Sequence, residues 1–192
     1  MSIVAAIKKD GVVYLGADTR TSCGSKIETC LLPSNRKIQR LGSCYVGATG
    51  KVANLQLLEI HPEWFELCGE PLTKRFLVRE VVPKYYAALR SAGYLEAPDD
   101  GGTLNSECSF LVTDGKRIFR INHALLVIEE GEWGAIGCTQ GIALACFAAT
   151  PDAEPRERLL AALRKSAHWH EGVGAPYLLV DTAENHFEIV EE

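Results

Sequence analysis

Met1-Ser2-Ile3-Val4-Ala5-Ala6-Ile7-Lys8-Lys9-Asp10-Gly11-Val12-Val13-Tyr14-Leu15-Gly16-Ala17-Asp18-Thr19-Arg20 is the stretch whose reading decides the fold. Two apolar runs, Ile3 to Ile7 and Val12 to Ala17, flank Asp10-Gly11. Beta-branched residues on both sides of Asp-Gly predict a hairpin. The second run ends in charge, with Asp18 and then Arg20. A buried strand rarely ends so unless the charges pair or act. Before the first run stand Met1 and a hydroxyl residue, Ser2. Removal of Met1 would leave Ser2 with a free amine beside its own hydroxyl at a strand start. An α-amine, with a pKa of about 7.7–8.0, suits a base near neutral pH, and a hydroxyl beside an N-terminal amine is an activated pair. The bland alternative is a frayed Met-Ser terminus that does nothing.

The 192 residues suffice for a sizeable core, so residues 1–192 are expected to form a single domain. The chain is 47% hydrophobic and 23% charged, which is ordinary for a globular protein. A net charge of -5 gives no footing for nucleic acid. No apolar run reaches the ~20 residues of a membrane span. Lys8 and Lys9 interrupt the first apolar run where a signal peptide needs it continuous. The expectation is a cytoplasmic protein without a membrane or nucleic-acid partner. Seven cysteines are scattered (Cys23, Cys30, Cys44, Cys68, Cys108, Cys138, Cys146), and no pair is spaced C-x-x-C. An odd set in a reducing compartment reads as free, mostly buried thiols, and no metal or cofactor is expected.

Outward from the hairpin, 21–35 is rich in Ser, Thr, Gly and Pro and reads as loop or weak strands. Lys37 to Leu41 and Cys44 to Ala48 form a second strand pair around Gly42-Ser43. Ala48-Thr49-Gly50 then turns into a helix capped by Thr49, with Val52, Leu55, Leu57, Leu58 and Ile60 as its apolar face. His61-Pro62 kinks or restarts it. A second helix spans about 73–92, kinked at Pro83, with Phe76, Leu77, Val81, Tyr85, Ala88 and Leu89 inward. The segment 93–106, with Pro98-Asp99-Asp100-Gly101-Gly102, reads as a loop. Strands then return as hairpins around Asp114-Gly115 and Glu130-Gly131. Helices at 142–149 and 154–168 follow, with Leu159, Leu160 and Leu163 inward, and strands at 176–180 and 187–190 close the chain. Blocks of antiparallel hairpins alternating with helix pairs fit an α+β fold. Two sheets, each with a helix pair outside, would bury all four helix faces as a four-layer αββα sandwich.

The chain resembles the proteasome beta-type subunits and the bacterial peptidase HslV, which are N-terminal-nucleophile hydrolases. The resemblance is carried by K-K-D-G-V-V-x-L-G-A-D-x-R across residues 8–20, by Asn35-Arg36-Lys37-Ile38, and by Tyr45-Val46-Gly47-Ala48-Thr49-Gly50. It implies an amide-bond hydrolase with Ser2 as nucleophile after Met1 is lost. Lys37 falls on the family's essential lysine, Asp18 on its carboxylate, and Gly47 on its oxyanion-hole glycine. It further implies a homo-oligomeric ring that takes peptide or unfolded protein, served by a separate ATP-dependent unfoldase, with no cofactor.

Three departures mark this chain: Ser2 replaces threonine, Cys138-Thr139 stands where the family has Ser-Gly, and His168-Trp169-His170-Glu171-Gly172 stands where it has a carboxylate. Cys138, Thr139 and His168 are therefore supporting candidates. Arg20 reads as a scaffold partner of Asp18. Asp18 with Lys37 could also be a plain buried ion pair, and Gly47 could be glycine only for packing. His168 and His170, two apart, do not converge on a metal. The alternative functions are a catalytically inactive structural subunit and a specific amidase or ligase of the same fold.

Overall fold

The computed structural model describes residues 1–23, 26–95 and 105–191. The strands are β1 (Ile3–Lys9), β2 (Val12–Asp18), β3 (Arg20–Cys23), β4 (Lys26–Thr29), β5 (Ile38–Leu41), β6 (Cys44–Gly50), β7 (Cys108–Thr113), β8 (Ile118–Ile121), β9 (Val127–Glu130), β10 (Trp133–Gly137), β11 (Tyr177–Asp181) and β12 (His186–Val190). The helices are α1 (Val52–Glu59), α2 (Lys74–Phe76), α3 (Val82–Ser91), α4 (Gln140–Ala149) and α5 (Pro155–Trp169). The centre of the expected 93–106 loop lies outside the described residues.

The opening hairpin forms as its sequence predicts. Asp10 and Gly11 take φ of 51° and 80°. Positive φ at both central positions gives the I′ turn, whose twist matches that of the flanking strands. β1 is buried on both faces. Ile3, Ala5 and Ile7 pack against α4 and α5 through Phe147, Leu159 and Leu163, while Val4 and Ala6 point between the sheets. One five-stranded sheet has the order β10-β1-β2-β11-β12, and the other runs β5-β6-β7-β8-β9. Leu58 of α1 and Tyr85 and Leu89 of α3 cover the outer face of the second sheet. The result is the four-layer αββα sandwich.

Four local expectations change. Strands β9 and β10 are not a hairpin: β9 pairs with β8, β10 pairs with β1, and the chain crosses between sheets at Gly131-Glu132. The free edge of β1 claims this segment, as the Lys8 N–H bonded to the Glu132 carbonyl at 2.6 Å records. Thr49 does not cap α1. It is buried inside β6, and the cap position is Lys51, which makes no side-chain cap bond. The apolar face of α1 is also rotated: Val52 and Ile60 are exposed, while Asn54 is fully buried and donates to the Ser106 carbonyl at 2.6 Å. The kink foreseen at Pro83 is taken up by a π-helical stretch, Leu77–Val81, joining α2 to α3. Thr73 caps α2 by accepting from the Phe76 N–H at 3.1 Å.

Candidate active site

The hairpin register itself builds the first half of the site. Val4 pairs with Ala17, so Asp18 at the end of β2 comes to the start of β1. Its Oδ1 accepts the Ile3 N–H at 2.9 Å. The Lys37 Nζ, from the residue preceding β5, reaches the same oxygen at 2.6 Å. One carboxylate oxygen thus ties the lysine to the residue after Ser2. Asp18 is fully buried and Lys37 is 8% exposed. Burial pushes the Asp18 carboxyl above its ordinary range, against the Lys37 ammonium and the Ile3 and Arg20 backbone N–H groups. Burial likewise pulls Lys37 below the ordinary lysine value, against the attraction of Asp18. Each group offsets the desolvation of the other.

The other side of Ser2 is held by the end of β10. The Cys138 N–H donates to the Ser2 carbonyl at 3.1 Å, and the Cys138 thiol contacts the same oxygen at 3.5 Å. Gly137 has φ 108°, and a Cβ there would strike the Ser2 carbonyl, so the close approach requires glycine. The Ser2 backbone is pinned on both sides while its hydroxyl stays at the surface, donating to the Met1 carbonyl at 2.7 Å. Thr139 is buried at the head of α4, and its hydroxyl has no hydrogen-bond partner among the described residues.

Ser2 stands between two hollows. One, of about 230 Å³, runs past Cys30, Lys37 and Thr49 along α1. The second, of about 360 Å³, is bounded by Met1, His123, Gly137 and Cys138. Thr49, Gly50 and Cys108 line both. Cys108 is buried, its Sγ lies 3.2 Å from the Lys51 carbonyl, and burial pushes its thiol up to about 11. It stays protonated and unreactive near neutral pH.

Ser2, Asp18, Lys37 and Cys138 are thus brought together, and three other expected residues are not. Gly47 lies in the middle of β6, between β5 and β7, where an added Cβ would come within 2.5 Å of Val4 Cγ1. It is glycine for inter-sheet packing and lines neither hollow. The antiparallel ladder explains why. The Ala48 N–H bonds to the Lys37 carbonyl on the β5 side, whereas the Lys51 N–H bonds to Glu107 on the β7 side. Alternation turns the Gly47 N–H to β7 and the Gly50 N–H to the cleft side, past the end of β5. Gly50 also needs to be glycine: its φ is 119°, and a Cβ would meet the Glu107 carbonyl. A Thr-Gly pair at a strand end was the sequence signal for it.

The Arg20 side chain does not pair with Asp18. Its Nη1 donates to the Glu171 carbonyl at 3.2 Å, and its guanidinium lies over Gly174. It thereby holds the turn after α5. His168 lines a separate hollow with Arg20 and Tyr177, and its ring packs edge-on against Trp169. His170 is the histidine beside the terminus: it accepts the Gly172 N–H at 3.1 Å, and Gly172 faces Met1. Among the described residues no cluster of His, Cys, Asp or Glu could hold a metal, and no helix is long and apolar enough to cross a membrane.

No protein-family model matches the chain, and no curated protein matches it. Solved structures do. The chain is similar to Thiobacillus denitrificans BPH, with a TM-score of 0.74 and 22% identity over 98% of each chain. It is similar to the same organism's BPH in complex with epoxomicin, with a TM-score of 0.71 and 21% identity over 99% of this chain and 100% of the other. It is also similar to Anbu, described as an ancestral beta-subunit, from Yersinia bercovieri, with a TM-score of 0.72 and 17% identity over 99% of this chain and 87% of that one. At these identities the likeness is one of fold, the four-layer αββα sandwich described above.

Proposed function

We propose that this chain is an N-terminal-nucleophile peptidase whose nucleophile is Ser2, freed by removal of Met1. The observation that carries the reading is the shared Asp18 oxygen, which binds the buried Lys37 and the Ile3 N–H at once. Removal of Met1 would do two things here. It would convert the Ser2 amide nitrogen into an amine, and it would release the Ser2 hydroxyl from the Met1 carbonyl that now accepts its proton.

The chemistry then balances in four transfers. Ser2 Oγ attacks the amide carbonyl carbon as its proton passes to the Ser2 amine. The amine returns that proton to the leaving nitrogen as the C–N bond breaks, leaving an ester on Ser2. A water molecule, deprotonated by the same amine, attacks the ester. Its collapse restores Ser2 and releases the acid. Lys37, held by Asp18, supplies positive charge that lowers the pKa of the neighbouring amine and hydroxyl. The Gly50 N–H takes the part of oxyanion donor expected of Gly47, a role worth about 2.7–4 kcal/mol in a comparable hydrolase. A cytoplasmic HslV-like ring of identical subunits acting on peptide or unfolded protein, supplied by a separate unfoldase, is part of the same proposal.

The test is the intact mass of the natively started protein, followed by peptide assays. Loss of one methionine, with cleavage abolished by Ser2→Ala, is the expected result. Retained Met1 with no cleavage overturns the proposal and leaves an inactive structural subunit of the same fold.

A further inference from the structure

We infer that the hollow running from Ser2 along α1 is a side-chain pocket for a basic residue, with Glu59 at its far end reading the cationic head. The inference rests on the reading of Ser2 as nucleophile and adds the substrate class.

The geometry is set by helical spacing. Val52, Leu55, Gln56 and Glu59 all line the hollow, at i, i+3, i+4 and i+7 of α1. A rise of 1.5 Å per residue separates Val52 from Glu59 by about 10 Å along the axis. Ala48, Val52 and Leu55 contribute aliphatic surface to the lining, with Val52 at the first turn of α1 and Glu59 at its last. The volume of about 230 Å³ falls below the ~300–1,000 Å³ of small-molecule sites and suits one side chain. An aliphatic stem ending in a cation fits this order of surfaces.

The charges point the same way. The cations that line the hollow are already engaged: Lys37 with Asp18 at 2.6 Å, and Lys51 with Glu107 at 3.0 Å. Arg36 and Arg40, close by in sequence, lie over the rings of Phe187 and Tyr45. The carboxylates Glu28 and Glu59 remain. Glu59 is half-buried, and its Oε1 is oriented by the Gln39 amide at 2.6 Å. Burial raises its carboxyl, opposed by the hydrogen bond from that amide, and no cation pairs with it among the described residues. Glu59 is also the last residue of α1, whose final turn carries no basic side chain. The negative end of the helix dipole therefore adds to its charge and favours a cation there.

The test uses the full chain and two probes. Benzamidine and its uncharged analogue benzamide report on the pocket by ligand-observed NMR, with or without turnover. The inference expects benzamidine to bind, benzamide not to, and Glu59→Gln to weaken benzamidine about tenfold or more. Equal behaviour of the two probes, or no effect of Glu59→Gln, overturns it. Fluorogenic peptides ending in arginine or norleucine supply the second arm. Arginine preferred by wild type and the preference lost in Glu59→Gln supports the inference. Equal cleavage of both overturns it while leaving the peptidase reading intact. Selective benzamidine binding without cleavage of any peptide upholds the pocket and fells the peptidase reading.

Discussion

At the Ser2 end of the cleft each buried charge has an opposite charge beside it, whereas at the α1 end Glu59 accepts from the Gln39 amide and has no ion-pair partner among the described residues. The first arrangement balances itself within the fold. Asp18 and Lys37 each offset the other's desolvation through Asp18 Oδ1, while Asp18 Oδ2 has no hydrogen-bond partner among the described residues. The second is relieved by protonation of Glu59 or, on the inference above, by a cation entering the pocket. On the proposed function, the difference separates a group that would tune neighbouring chemistry from one that would recognise a partner.

The largest effect should come from breaking the first arrangement. Lys37→Met leaves Asp18 buried without its counter-charge, which costs about 3–5 kcal/mol. In a chain of this size that lowers Tm by roughly 10 °C or more. Lys37→Met combined with Asp18→Asn should recover much of that Tm while peptide cleavage stays at least about 10³-fold down. Calorimetry and kinetics on the four proteins of the cycle check this. A double variant as unstable as the single one would show that the pair does not compensate itself.

The two glycines of β6 should separate next. Gly50→Ala forces a side chain into positive φ and against Glu107, at about 1–3 kcal/mol, and cuts kcat about 10²-fold by displacing the donor. Gly47→Ala crowds Val4 at a similar cost of about 1–3 kcal/mol, yet folded molecules keep their kcat. Active-site titration against folded protein distinguishes the two. Loss of kcat in Gly47→Ala alone would return the oxyanion role to Gly47.

A smaller effect is expected from pH at the other end. Burial raises Glu59, so its ionisation is disfavoured by folding. Its contribution is therefore fully present below the ordinary carboxyl value and is lost as pH rises through the raised one. Wild type should gain Tm relative to Glu59→Gln as pH is lowered from 7 towards 4. An unchanged difference between the two melting curves would place Glu59 in an aqueous setting. The smallest effect is on thiols: at pH 8 Cys108, pushed up to about 11, should escape iodoacetamide in the folded protein, while exposed Cys138 is alkylated. Peptide mapping by mass spectrometry reads both.

Much of this was legible in the residues. The Asp10-Gly11 turn, the helix carrying Leu159, Leu160 and Leu163, and the juxtaposition of Asp18 with Ser2 all follow from local spacing or hairpin register. What was misread depended on partners distant in sequence. Glu130-Gly131 looks like a turn, but β1 captures one flank and β8 the other. Arg20 stands two residues from Asp18, yet its side chain serves the turn at Glu171. His168 and His170 are near-equivalent in sequence, and only the end of α5 decides which of them approaches Met1.

By itself the sequence determined the opening hairpin, the alternation of strand and helix blocks, and a carboxylate and hydroxyl at one strand end. These are properties of turn conformation and hydrophobic period, and they act over a few residues. The tertiary structure decided which glycine turns its N–H to the cleft, which histidine lies beside the terminus, and that α1 presents Glu59 to the pocket. These depend on ladder phase and on which long-range strand claims an open edge. No window of sequence contains that information, because the competing partners lie tens of residues away.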